Sequence, residues 1–307
     1  MNVIDTLSAG FSAANRRLWI AVIPIVVDLF LWLGPKLVAG PALATQIESL
    51  LHQQYAGAGL GLQQIVASFN LFSALVLYLP SLIVRLDSIA PLASAAPVIP
   101  VGSPWLFLLG GVAILLAGLW ISCLYLGFLG QLVRGSATNV LALLSAVWRY
   151  WGRVALFLLL AALALGVAAI PLSVAYLFLT SLSAAAGDFV ALIIQIGIVW
   201  AIVYLFFTVE AVVLNDVGPV RAARYSIMVI SRNFWASVTF VGLTFLISLG
   251  LPIAWQLIAG NPAGLVVGII GNAYIGTGIS AAGFLFYQDR LERVQRAAAT
   301  RPAKETE

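Results

Sequence analysis

Long apolar runs separated by short polar connectors organise the chain. Six stand out: Leu18 to Leu37, Trp105 to Leu129, Val154 to Leu179, Phe189 to Val213, Phe234 to Ile258 and Ala263 to Tyr287. A helix crossing a hydrocarbon core of about 30 Å needs about 20 residues, because each adds about 1.5 Å. The runs are continuous, whereas the strands of a membrane barrel alternate apolar and polar positions over about 10 residues. The pattern therefore predicts an all-α, polytopic integral membrane helical bundle. It has about six transmembrane helices plus interfacial amphipathic helices.

Between the runs the periodicity changes. In Met1 to Arg17, Val3, Ile4, Leu7, Phe11 and Ala14 recur near helical spacing, which predicts a helix lying on the membrane surface. The connector from Asn215 to Phe234 repeats this design. Val220, Ala223, Ile227, Ile230 and Phe234 form one face, Arg221, Arg224 and Arg232 lie off it, and Asp216 or Gly218 can cap the helix ahead of Pro219. Thr45 to Gln54 reads as a short helix. Ile65 to Val84 is long enough to span but has a polar stripe and is interrupted by Pro80. It reads as a helix in the outer interface or packed against the bundle. Ala90 to Pro104, with four prolines, reads as an extended outer connection.

In the first run, Pro24 and the Gly34-Pro35 pair should bend or end the helix. Ala42-Leu43-Ala44 has the form of a signal-peptide cleavage site. The length of the run and the presence of Asp28 favour a retained helix instead. The expected organisation is a surface helix at 1–17, one transmembrane domain at 18–292 with an outer region at 39–104, and a polar tail at 293–307.

Composition agrees with this pattern. The chain is 63% hydrophobic and 8% charged, against about 25% charged residues in a soluble domain. Charge also orients it. Arg16, Arg17, Arg134, Arg149, Arg153, Arg221, Arg224, Arg232 and the five basic residues after Gln288 fall on one side of a six-span arrangement, with only Lys36 and Arg85 on the other. The positive-inside rule then places both termini in the cytoplasm. A seventh span at Ile65 to Val84 would split these clusters across the membrane. The basic residues sit at span ends, so they read as orientation signals and not as a nucleic-acid surface.

Candidate chemistry is sparse. Cys123 is the only cysteine and His52 the only histidine, so no disulfide, metal cluster or histidine-based catalytic set is expected. No cofactor motif is present. The intramembrane polar candidates are Asp28, Glu210 and Asn272. A mid-bilayer carboxylate costs at least ~2.5–3.5 kcal/mol on insertion scales. Asp28 should therefore either make an interhelical hydrogen bond or serve as a proton, ion or amine site, and the first outweighs the second. Glu210 should pair with Arg221, Arg224 or Arg232 as a local staple, ahead of a headgroup contact. The three arginines are also candidates for contact with lipid or a partner. Asn272 and Tyr274 can supply interhelical hydrogen bonds. Gly264 and Gly268 form a GxxxG pair suited to close helix packing.

A weak internal repeat, offset by 81 positions, overlays Ser145 on Ser226 and Pro171 on Pro252. The hinge VEAVVLNDVGPVRAARYSIMVISRNFW and the exit FLFYQDRLE also resemble the membrane domain of some bacterial glycerophosphoryl diester phosphodiesterases and its stand-alone relatives. The matching positions are Glu210, Gly218, Ala222, Ser226, Arg232 and Phe234-Trp235, and the resemblance covers roughly Trp105 to Glu292. It implies a six-helix membrane domain in a bacterial inner membrane. The histidine and metal-binding carboxylates of that family's catalytic domain have no counterpart here, so the enzymatic activity is not carried over.

The expected function is a non-enzymatic accessory or scaffolding role, with membrane lipids, a membrane protein or a second copy as partners. Transport of a lipid or small hydrophobic solute through Asp28 is the alternative, and an intramembrane enzyme is third.

Overall fold

In a computed structural model the chain is 85% helical and forms an all-α bundle, so helix ends and helix breaks govern the placement of its polar groups. The structure describes residues 2–41, 43, 45–46, 49, 69–89, 96–135 and 140–299. The expected helix at Thr45 to Gln54 lies largely outside them, as does His52. Among the described residues the helices are α1 (Val3–Arg16), α2 (Val22–Leu33), α3 (Ile83–Ile89), α4 (Pro104–Val133), α5 (Val140–Leu182), α6 (Ala184–Leu205), α7 (Thr208–Asn215), α8 (Pro219–Arg232), α9 (Phe234–Gln256) and α10 (Pro262–Ala299). Five stretches among the described residues are long and apolar enough to cross a membrane: α4, α5, Ala184–Asn215, α9 and Pro262–Arg296.

The first apolar run is shorter than expected. A 4-residue 3-10 turn at Leu18–Ala21 leads into the 12-residue α2. Together they rise about 26 Å, at about 2.0 and 1.5 Å per residue, short of the roughly 30 Å core. Pro24 falls in the first turn of α2, where its missing N–H is not needed. Gly34-Pro35 ends the helix. The chain then forms β1 (Lys36–Ala39), which pairs in parallel with β2 (Val98–Val101). The second strand lies in the stretch read as an extended connection, which is here paired to β1.

Ile65 to Val84 is not one helix. Its described part is a 3-10 helix at Leu71–Val76, a break at Pro80, and then the start of α3. Asn70 explains the first turn, since its Oδ1 accepts from Phe72 N at 3.2 Å and from Leu37 N at 3.0 Å. Leu71, Leu79, Leu82 and Ile83 are buried while Phe69 and Leu77 are exposed, so the segment is packed on one side.

The chain divides into two compact units. One comprises 14–125 and 247–278, the other 1–13, 126–246 and 279–307. In the first, small residues admit close neighbours. A Cβ added at Gly118 would lie 2.4 Å from Leu75 Cα, one at Gly276 2.1 Å from Pro80, and one at Gly268 2.9 Å from Leu82. Gly264 instead faces the Ile258 carbonyl in the turn that precedes α10, so the two glycines of the GxxxG pair serve different contacts. Tyr274 Oη donates to Asn15 Oδ1 at 2.9 Å, and Tyr125 Oη to Thr277 Oγ1 at 3.2 Å.

The second unit is built on an aromatic stack. Phe286 lies 5.4 Å from Phe207 and 4.6 Å from Phe240, rings stacked, and all three are buried. Along α5 and α6, by contrast, nearly every side chain from Leu156 to Ile202 is exposed. This is the surface expected of helices solvated by lipid.

Candidate functional site

The hinge between the apolar run ending in α7 and the next run is held by polar contacts from four parts of the chain. The run breaks at Phe206-Phe207, which frees backbone groups that lipid cannot satisfy. Ser226 of α8 supplies both partners. Its Oγ accepts from Phe207 N at 3.1 Å and donates to Tyr204 O at 2.7 Å. Ala222, one turn earlier, is also fully buried, and its small side chain lets α8 approach the break. The repeat partner of Ser226 does something else: Ser145 is exposed and donates only to Ala142 O in its own helix.

At the far end of α7, Arg134 Nη2 donates to the carbonyls of Val213 and Leu214, both at 2.6 Å. A cation is favourable there because these carbonyls have no helical partner and carry the negative end of the helix dipole. Asp216 terminates α7 in the left-handed region (φ 50°), which Asp tolerates better than most residues. Its carboxylate pairs with Arg153 and, at 3.7 Å, with Arg149. Tyr287 Oη donates to Asn215 Oδ1 at 2.7 Å. Gly218, not Asp216, caps α8, with Pro219 as its first residue.

Glu210 departs from expectation. Among the described residues it forms no ion pair with Arg221, Arg224 or Arg232. Its Oε2 is buried without a hydrogen-bond partner, while Oε1 faces the bare backbone of Gly283. The arginines that reach this hinge are Arg134, just past the end of α4, and Arg149 and Arg153 of α5.

The faces of α8 also differ from the expected ones. Ala222, Ser226, Val229 and Ile230 are buried, whereas Val220 and Ile227 are exposed. The small residues set the packed side, because they allow the closest approach. Arg221, Arg224 and Arg232 are exposed on the other side and pair with no acidic side chain among the described residues. The helix thus has a packed face, an exposed apolar edge and an exposed basic face.

Asp28 belongs to the other unit and is fully buried. Its carboxylate accepts from Ser81 Oγ, from Leu82 N at 2.8 Å and from Ile83 N. Ser81 Oγ in turn accepts from Val84 N at 3.3 Å. Asp28 and Ser81 therefore cap the first turn of α3 from two directions, placing an acceptor-rich group where a helix begins. Asn272 is buried on α10 with no hydrogen-bond partner among the described residues. No group of three or more metal-ligating side chains occurs among the described residues. The chain matches no protein-family model, no curated protein and no solved structure at a level that would show relatedness.

Proposed function

We propose that the chain is a non-enzymatic integral membrane protein with an accessory or scaffolding role, which holds anionic lipid headgroups on the basic face of α8. The observation that carries this reading is the division of α8 into its three faces. One side is packed, Val220 and Ile227 offer an apolar edge to acyl chains, and Arg221, Arg224 and Arg232 are left for an external anion. Each basic residue near an anionic surface contributes about 1 kcal/mol. The bias of basic residues to one side supports a cytoplasmic face for α8 and both termini. The hinge resemblance supports a bacterial inner membrane. The three donors that the chain itself directs at Asp28 favour this role over transport through that carboxyl.

The test is lipid retention measured by native mass spectrometry, on protein reconstituted with equal phosphatidylglycerol and phosphatidylcholine. Wild-type protein should keep the anionic lipid preferentially. Replacing Arg221, Arg224 and Arg232 together by Gln should reduce that preference at least about tenfold. Equal retention by both proteins contradicts the proposal.

A further inference from the structure

One polar side chain on the bare α5–α6 hairpin has no solvent suited to it. Gln195 lies at the middle of α6 (Ala184–Leu205), is exposed, and meets no hydrogen-bond partner among the described residues. At that depth lipid offers no hydrogen bonds, and a 22-residue helix spans about 33 Å. A glutamine side chain is too short to reach the headgroups from the middle of such a span.

The residues around Gln195 follow a pattern. Asp188, Leu192, Gln195, Val199 and Ile202 are spaced alternately four and three residues apart, the spacing of a helix–helix seam, and all five are exposed. The opposite side of α6 is the one that packs within the chain. Gly187 is buried there, with Thr180 of α5 occupying the space of an added Cβ, and Val190 and Ile194 are half-buried. The seam therefore faces away from α5.

We propose that this seam is a homodimer interface, in which α6 pairs with α6 of a second copy and the two Gln195 carboxamides hydrogen-bond to each other. The choice of a second copy rests on symmetry and chemistry. Copies of a membrane protein share one orientation, so a two-fold axis relating them runs along the membrane normal, and equivalent residues meet at equal depth. A mid-span residue on the seam consequently meets itself. The carboxamide is self-complementary because it carries both donor and acceptor. A single polar residue in an apolar seam also fixes the register of the pair. Asp188 falls at the end of the span, where headgroups and water screen it from its symmetry mate.

The experiment uses the full chain in native membranes. Cys123 is buried, so the wild-type chain is the negative control for thiol cross-linking. Under mild oxidation, Leu192→Cys and Val199→Cys should give a covalent dimer, and Ile194→Cys should not. In nanodiscs, Gln195→Leu should weaken association about tenfold, and Gln195→Asn should largely preserve it. The leucine replaces an exposed side chain on an apolar surface, so folding is not at stake. A photoreactive group at position 192 should capture a chain of the same mass. Capture of a different protein, capture of lipid alone, equal cross-linking at 192, 194 and 199, or association unchanged in Gln195→Leu would each overturn the proposal.

Discussion

Asp28 and Glu210 are two acidic side chains set among apolar residues, and they are accommodated in opposite ways. Asp28 is surrounded by donors, namely one hydroxyl and two backbone N–H groups at the start of α3. Glu210 has one oxygen buried with no partner and another against a glycine backbone. A polar group that is buried and satisfied contributes to a unique fold, whereas one that is buried and unsatisfied costs free energy. The difference teaches that an acidic residue in an apolar run is not by itself a functional site. Its role follows from which donors the chain brings to it.

The sharpest way to break this contrast is to remove the satisfied carboxyl. Asp28→Ala leaves three buried donors without an acceptor and should cost about 3–5 kcal/mol, seen as a large fall in thermal midpoint in nanodiscs. Loss of less than about 1 kcal/mol would place Asp28 outside the fold's essential contacts. Next is the break between α6 and α7, where Ser226 satisfies two backbone groups. Ser226→Ala should cost about 1–3 kcal/mol by the same measurement. Arg134→Met removes the donor to the Val213 and Leu214 carbonyls at the end of α7. Because Arg134 is exposed and water can partly replace it, the expected loss is about 1 kcal/mol. Smallest is Glu210→Gln, which removes the charge of a carboxyl with one buried, unpartnered oxygen. It should leave stability unchanged or raise it by up to about 1 kcal/mol. A large loss would show that Glu210 holds a partner in the membrane.

The apolar runs were legible in the sequence because lipid demands long uninterrupted stretches, and five of the six have the length and apolar character to cross. The first stops short because Gly34-Pro35 ends α2, as that pair predicts, and because Leu18–Ala21 is a 3-10 turn. The partner of Asp28 was not legible. Ser81 is 53 residues away, beyond any local periodicity. A staple between Glu210 and the nearby connector arginines was a reasonable expectation from chain proximity. Folding instead brought Arg134, Arg149 and Arg153 to the same hinge. On α8, apolar side chains were assumed to mark the packed face, but Ala222 and Ser226 mark it because they are small. Gln195 carried a readable signal in its alternating spacing, which the continuous apolarity of the run concealed.

Backbone hydrogen exchange in nanodiscs tests the central claim, that Asp28 is a helix cap and Glu210 is not a comparable joint. In the wild-type chain the amides of Leu82 and Ile83 should be strongly protected. Asp28→Ala should abolish that protection and loosen α3, while Glu210→Gln should leave exchange across Thr208–Asn215 unchanged. Retained protection at Leu82 and Ile83 in Asp28→Ala, or exposure of α7 in Glu210→Gln, would contradict the account.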